Sequence, residues 1–289
     1  MAFDQETGTA DLRKEVVDKV IRDIAKPIYK FKQALSVVKT GAWKNTFFRG
    51  STDILAGASG NATRGIPRGA NFPQAVTTLE EVNSYIEKYG LEDFIHWEDI
   101  LTNEVDIQKR TLFKLTQGVV KAVDDQIWDV LTESQNPSNI QSVEITGGQN
   151  WDAASAAIID DLMAAKQAIG EKNYDTSNLM AFISEKDHRS IVNYLSEKGA
   201  QFPSVGENMA NNGKVGKLAG IQLVVSNSVT ASFALVVVPK VVGNWKESVG
   251  LRSDLKKEAF KGTRIRVVEM GVAQLTDPEA AVLIINTQD

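Results

Sequence analysis

Few side chains in this sequence could carry out covalent or metal-dependent chemistry. The 289 residues include no cysteine and two histidines, His96 and His188. Without cysteine there are no disulfides or thiolates, and two histidines supply little for a metal site or an activated nucleophile. His96 lies among apolar residues, where a lone histidine is more often a packing residue than a ligand. We therefore assign no catalytic, cofactor-binding or metal-ligating residue, expect no cofactor, and predict that the protein is not an enzyme.

Two local groupings resemble catalytic sites but have simpler explanations. Ser184, Asp187 and His188 lie too close together for a catalytic triad, whose members come from separate elements. Ser184 and Asp187 instead fit the first turn of a helix, where both side chains can cap it. The adjacent acids Glu98 and Asp99 leave a carboxylate-dependent hydrolase as a minor alternative, because such pairs usually lie on a solvated face.

Charge is divided between two adjacent blocks of the sequence. The formal net charge of −5 argues against a surface that binds nucleic acid throughout. From Ile24 to Thr78, however, Asp53 is the single acid among eight basic residues, and from Leu79 to Asp106 Lys88 is the single base among nine acids. With its interleaved aromatic residues, the basic block could also suit a nucleic-acid-binding module. The neighbouring acidic block favours contacts between subunits instead.

The longest predicted element is a helix over Glu104–Ser134, here called the spine helix. This stretch contains no proline and one glycine, Gly118. Its apolar residues recur at the spacing of one helical face, namely at Val105, Leu112, Leu115, Val119, Val123, Ile127 and Val130. A helix of this length reaches roughly 40 Å at 1.5 Å per residue, so it can cross a whole domain.

The residues before this helix predict an arm and a hairpin. Residues 1–44 form the arm, with an amphipathic helix that Pro27 interrupts; the helix packs either on its own core or on a neighbouring molecule. Residues 45–75 are rich in glycine and predict an extended hairpin. An isolated two-stranded hairpin is marginal in water, so this one is either disordered or covered by another surface.

The remaining segments predict a mixed α+β fold. Val76–Trp97 predicts strands flanking a turn at Gly90, although Leu79–Lys88 could equally form a short helix. Further helices are predicted over Asp152–Ile169 and from Ser184 to Ser196. The strands that follow or separate these helices are predicted at Ser142–Ile145, Asn178–Ile183, Ile221–Ser226, Phe233–Val238, Thr263–Met270 and Ala280–Ile285.

The order of these elements resembles that of the major capsid proteins of tailed bacteriophages, which share the HK97-like fold. The resemblance rests on KYGLEDFIHWEDIL before the spine helix, on AFISEKDHRSIVNYL, on GKLAGIQLVVSNSV with FALVVVPKVVGNW, and on the closing KGTRIRVVEMGVAQLTDPEAAVLI. It covers nearly the whole chain from about Val37, although no single motif is diagnostic.

The resemblance implies a domain organisation. The N-terminal arm would span residues 1–44 and the extended hairpin (E-loop) residues 45–75. A peripheral domain would comprise residues 76–145 and 241–289, with the spine helix at 104–134. An axial domain would comprise residues 146–240.

The resemblance also implies a function without chemistry. Copies of the chain would assemble through hexamers and pentamers into an icosahedral shell around a viral double-stranded DNA genome, contacted non-specifically. Assembly would take place in the host cytoplasm and the product would be the virion capsid. A portal and a separate scaffolding protein would take part, the latter because the first predicted helix follows Met1 closely. No membrane contact is expected. An encapsulin-like protein compartment is the alternative.

The expected subunit contacts follow from the charge blocks and the arrangement of the family. The basic side chains Arg49, Arg64 and Arg68 would pair with Glu80, Glu92, Glu98 or Asp99 of a neighbour, because a projecting hairpin cannot neutralise them within its own chain. Burial of Trp43, Phe47 and Phe48 would supply most of the adhesion. Some family members join subunits by a lysine–asparagine bond from the hairpin. No lysine lies between Asn45 and Glu87, so no such bond is expected from that loop.

Overall fold

The computed structural model describes residues 14–25, 28–50, 67–69, 71, 79–101, 105–133, 140–153, 155–197 and 216–288. The helices are α1 (Lys14–Ala25), α2 (Trp97–Leu101), α3 (Val105–Thr132), α4 (Ile158–Glu171) and α5 (Glu185–Glu197). The strands are β1 (Ser36–Lys39), β2 (Lys44–Gly50), β3 (Leu79–Tyr85), β4 (Glu87–His96), β5 (Gln141–Glu144), β6 (Leu179–Ile183), β7 (Lys217–Leu218), β8 (Ile221–Val225), β9 (Phe233–Val237), β10 (Gly243–Glu258), β11 (Gly262–Leu275) and β12 (Ala281–Ile285). Arg64 and most of the predicted hairpin lie outside the described residues.

The prediction of a long helix is confirmed by α3, which runs from Val105 to Thr132 over 28 residues. Its apolar stripe forms the buried side, with Val123, Ile127 and Leu131 fully buried. At Gly118 strand β4 approaches so closely that a Cβ atom would lie 2.4 Å from Cδ1 of Leu91. The single glycine of the helix therefore marks the point where the sheet meets it.

The spine helix packs on a four-stranded sheet of order β1-β10-β11-β4. The predicted turn at Gly90 is wrong, because Gly90 lies inside the ten-residue strand β4, opposite Val268 of β11. A Cβ atom there would lie 3.2 Å from the carbonyl oxygen of Val267, so this glycine provides close approach rather than a turn. The alternative helix over Leu79–Lys88 is also wrong, because strand β3 occupies most of that range.

A second sheet has six strands in the order β5-β12-β9-β6-β8-β7. Helix α4 lies against β5 and β12. Strands β5 and β12 belong to this sheet, with β12 paired between β5 and β9, whereas the sequence-based domain assignment groups both segments with the spine helix. The chain crosses between the sheets at Asp277, which accepts a hydrogen bond from Glu279 N–H at 3.2 Å and starts a short helical turn.

One aromatic cluster links the segment after the arm helix, the spine helix and the six-stranded sheet. Phe31, which follows the arm helix, stacks on Phe182 of β6 with ring centroids 4.4 Å apart. It also contacts Trp128 of the spine helix at 5.5 Å. A second buried tryptophan, Trp151, donates its indole N–H to Asp161 of α4 at 2.8 Å. The core therefore runs continuously from the spine helix into the six-stranded sheet.

Ser184 caps α5, as its sequence context predicts. The backbone N–H of Asp187 donates to Ser184 Oγ at 3.0 Å, and the backbone N–H of Ser184 donates to the Asp187 carboxylate at 3.4 Å. These reciprocal bonds form a capping box, which explains both side chains without catalysis. His96 is exposed and lies edge-on to the ring of Phe94 at 5.3 Å.

Candidate intersubunit surface

Strands β2 and β3 form a two-stranded hairpin whose two faces differ. Phe48 pairs with Glu81, and Lys44 pairs with Tyr85. Because side chains alternate along a strand and paired residues share a face, the outer face carries Lys44, Thr46, Phe48, Glu81, Asn83 and Tyr85. The inner face carries Asn45, Phe47, Arg49, Glu80, Val82 and Ser84.

The inner face is held by its own chain. The guanidinium of Arg49 is buried and pairs with the carboxylate of Glu133 at 2.6 Å, just beyond the spine helix. Arg49 Nε also donates to the carbonyl oxygen of Leu275 at 3.2 Å. Ser84 Oγ accepts a hydrogen bond from the side-chain amide of Gln274 at 2.6 Å. These contacts fix where the hairpin leaves the body of the subunit.

The outer face leaves large aromatic side chains in solvent. Phe48 is 60% exposed and Tyr85 is 56% exposed, and Trp43 at the base of the hairpin is 61% exposed. Scattered exposed apolar residues are normal, but an apolar patch on one structural element marks a contact surface. Burying one such ring contributes about 1.5–3 kcal/mol.

A second exposed aromatic pair lies at the turn between β10 and β11. Phe260 is 84% exposed and packs edge-on against Trp97, with ring centroids 6.0 Å apart. Trp97 N–H donates to the carbonyl oxygen of Lys261 at 3.0 Å, which ties this turn to the start of α2.

Comparison with known proteins identifies the family. Residues 79–284, most of the chain, match the model of a phage capsid protein family. The chain belongs to that family. No match was found among curated proteins.

Solved structures of capsids share the fold of this capsid protein. The capsid of the cyanophage P-SCSP1u matches with a TM-score of 0.66 at 15% identity, covering 88% of this chain and 87% of that one. The virus-like particle from Pyrococcus furiosus matches at 0.63 and 12% identity, covering 93% and 98%. The mature capsid of bacteriophage PhiM1 matches at 0.61 and 12% identity, covering 88% and 86%. The fold is therefore the HK97-like α+β fold, and the protein is a structural shell protein rather than a hydrolase.

The capsid protein neutralises part of each charge block within its own chain, contrary to the expectation from sequence. Arg49 pairs with Glu133, and Glu92 pairs with Arg266 at 2.5 Å and Arg264 at 2.9 Å. Hydrogen bonds from these two arginines hold the pKa of Glu92 below its usual value. These partners lie in the same chain but outside both charge blocks, and pairing between the blocks of neighbouring subunits stays a prediction.

Burial within the chain also weakens the nucleic-acid-module alternative. Lys32 of the basic block is largely buried and pairs with Glu269 at 2.6 Å. Two of the block's cations, Lys32 and Arg49, are therefore directed at carboxylates of the same chain rather than at a ligand.

The other predicted contact residues are distributed over several surfaces. Phe47 is half-buried on the inner face, and Glu80 is exposed at the hairpin. Glu98 and Asp99 lie in the first turn of α2 and take part in contacts within the chain. Arg68 is exposed, and Arg64 lies outside the described residues. The hairpin thus combines Trp43 and Phe48 with Tyr85, which sequence reasoning missed although it follows Glu81 and Asn83 at the alternation of one strand face.

Two absences complete the description. The described residues contain no group of three or more acidic or histidine side chains that could hold a metal ion. Among the described helices none is long and apolar enough to cross a lipid bilayer.

A shallow groove of about 610 Å³ crosses the four-stranded sheet beside Gly90. Its lining includes Lys88, Glu92, Arg252, Asp254 and Arg266. Within this groove Glu92 and Arg266 pair with each other.

Proposed function

We propose that this capsid protein assembles through hexamers and pentamers into a closed icosahedral shell around double-stranded DNA. The observation that carries the proposal is the two-faced hairpin. Its inner face is fixed to the subunit by Arg49 and Glu133, and its outer face presents Phe48 and Tyr85 to solvent. A rigidly mounted aromatic surface binds with little loss of conformational freedom, which suits a contact repeated at every position of a shell.

The exposed side of a neighbour's spine helix fits this outer face. Phe113 is exposed there, and Arg110 and Lys114 flank it on the same side of the helix. The rings of Phe48 and Tyr85 would pack against Phe113. The carboxylate of Glu81, which lies opposite Phe48, would meet the two cations. Aromatic burial would supply adhesion, and charge would fix register and partner choice.

The wider assembly follows from the same proposal. The four-stranded sheet with the spine helix would form the peripheral domain, and the six-stranded sheet the axial domain around the hexamer and pentamer axes. A separate scaffolding protein and a portal would take part in assembly in the host cytoplasm. The inner surface of the shell would contact DNA through non-specific phosphate interactions.

Electron microscopy of the purified full-length chain tests the proposal. Closed shells are expected from the parent, and none from the double variant Phe48→Ser with Tyr85→Ser, which removes the outer-face rings. Met163→Ser is the matched control, because Met163 is also exposed but lies on α4 of the six-stranded sheet region. Shells from the double variant in parental yield would contradict the role of the outer face.

A protein compartment that encloses cargo proteins is the second candidate. It is favoured by the match to a virus-like particle, which extends over 98% of that chain. Particles from the native source distinguish the two candidates. Nuclease-protected genomic DNA supports the viral capsid, and a stoichiometric protein cargo without DNA supports the compartment.

A further inference from the structure

Two buried carboxylates hold the segment through which the arm helix joins the subunit. This segment, Tyr29–Gln33, is here called the arm junction. Asp124 of the spine helix accepts a hydrogen bond from the backbone N–H of Lys30 at 2.9 Å. Glu269 of β11 accepts hydrogen bonds from the Tyr29 hydroxyl and, at 2.6 Å, from the Lys32 ammonium. The arm is therefore attached to the spine helix and to the four-stranded sheet at one place.

Glu269 is paired through both carboxylate oxygens. Besides Glu269, the Lys32 ammonium lies 3.5 Å from Glu247, and it faces the rings of Tyr29 and Trp245 at 4.6 and 5.2 Å. Burial and the adjacent carboxylate raise the pKa of the Tyr29 hydroxyl, so it remains a hydrogen-bond donor. In this half of the junction the Glu269 carboxylate accepts from one cation, Lys32, and from one hydroxyl donor, Tyr29.

Asp124 differs because it forms no ion pair with any residue that the structure describes. Its side chain is 3% exposed, and within the described part of the chain its Oδ1 atom has no hydrogen-bond partner. The adjacent Asp125 of the same helix adds like charge, and Lys32 of the junction opposes it only weakly. A buried carboxylate with one unpaired oxygen is costly when ionised and much less so when neutral.

We propose that Asp124 makes the arm junction a proton-controlled latch, which is closed when its carboxyl group is neutral and loosened when that group is charged. The latch belongs to the single chain and does not depend on shell assembly. Opening it would loosen the arm junction from the spine helix and β11, while the buried side chains of Ile21 and Ala25 keep α1 packed against the same chain.

The pKa of Asp124 supports this direction. Burial raises the pKa to about 7, against an ordinary value of 3.8, although the backbone N–H groups of Lys30 and Phe31 counteract it. Because the closed state holds the proton more tightly than the open one, the latch is strongest at low pH and weakens as pH rises. The opening constant should increase roughly tenfold per pH unit between about 5 and 6.5, then level off above the pKa.

Other charged and titratable groups lie around Asp124 and the arm junction. Glu247 and Glu269 on the sheet share Lys32, and the Tyr29 hydroxyl stays protonated. The last charged side chains that the structure describes on the arm helix, Arg22 and Asp23, are exposed.

Hydrogen–deuterium exchange of the full-length unassembled chain at pH 5, 6, 7 and 8 tests the latch. After correction for intrinsic exchange rates, protection of the amides of residues 28–35 should fall by more than tenfold from pH 5 to pH 7. Amides of β6 should keep their protection. Asp124→Asn, which stays uncharged, should make the protection of residues 28–35 independent of pH. Asp125→Asn is the control, because it removes a neighbouring charge and keeps the Asp124 carboxyl group. Protection should still fall as pH rises, with the fall levelling off at a slightly lower pH because the like charge of Asp125 is gone.

Two results would overturn the proposal. One is equal protection of residues 28–35 at pH 5 and pH 8 in the parent, a measurement that stands even where Asp124→Asn fails to fold. The other is an Asp124→Asn chain that folds and shows the parental pH dependence.

Discussion

The six-stranded sheet and the β2–β3 hairpin reach stability in opposite ways. Every residue of β6 is buried, and β12 is buried from Ala281 to Ile284, so both faces of the sheet centre are covered within the chain. The hairpin has two strands and a single covered face, attached through the ion pair of Arg49 and Glu133. Its other face exposes Phe48 and Tyr85.

Because of this difference, we expect one set of residues to determine folding stability and another set to determine assembly. The six-stranded sheet has no large central apolar surface left to bury, so changes there act on the free energy of unfolding. The outer face of the hairpin still has such surface, so changes there act on association. Three substitutions test this separation, in order of decreasing effect.

The largest effect is expected from Phe182→Ala at the centre of the six-stranded sheet. This ring is fully buried and stacks on Phe31, so its removal leaves a cavity between the two sheets. We expect a loss of about 3–5 kcal/mol in the free energy of unfolding, measured by denaturant titration of the unassembled chain. Phe48→Ala on the outer face of the hairpin is the control, because that ring is exposed and its loss should be nearly neutral for folding. Equal losses from both would remove the distinction between the regions.

Arg49→Met is expected to lower the free energy of unfolding by a smaller amount, about 3 kcal/mol. The reason is that the Glu133 carboxylate is left largely buried without its cation. A double-mutant cycle with Glu133→Gln should recover much of the loss, since no uncompensated charge then remains. Exchange of the β2 and β3 amides should also increase in the single variant. Additive losses in the cycle would mean that Arg49 stabilises the hairpin by packing alone.

The smallest effect is expected from Arg68→Glu, on assembly rather than folding. Exposed ion pairs contribute only about 0.2–1 kcal/mol each. If Arg68 pairs with an acid of a neighbour, light scattering should show slower assembly of the variant at low salt. The difference should disappear near 1 M salt, where the Debye length is roughly 3 Å. Lys256→Glu makes the same charge change at another exposed position, so equal slowing by both variants would indicate a net-charge effect only.

Most of the helices and strands can be predicted from the periodic spacing of apolar residues. The spine helix was located within two residues at each end because its apolar stripe repeats over many turns. Gly90 was misread because a glycine that admits close strand packing has the same local sequence as a glycine in a turn. The place of β12 in the six-stranded sheet could not be predicted, because β12 follows β11 closely in sequence and a crossover to another sheet leaves no periodic signal.

Contacts between side chains that lie far apart in the sequence could not be predicted from it. The partners of Arg49 and Glu92 lie on β11 or just beyond the spine helix, and no local pattern connects them. Asp124 left one readable signal, since it lies four residues after Val120 and four before Trp128, on the buried side of the helix. An acidic residue in that register predicts a buried carboxylate, although its partner in the arm junction required the structure.

The placement of the five tryptophans gives this protein two optical reporters. Trp43 and Trp97 are exposed at the two aromatic surfaces, whereas Trp128, Trp151 and Trp245 are buried in the core. Fluorescence of the exposed pair will shift to shorter wavelength when another surface covers it, and that of the buried three will shift to longer wavelength on unfolding. A Trp97→Phe chain would therefore follow, in one emission spectrum, both the docking of the hairpin base and the integrity of the fold.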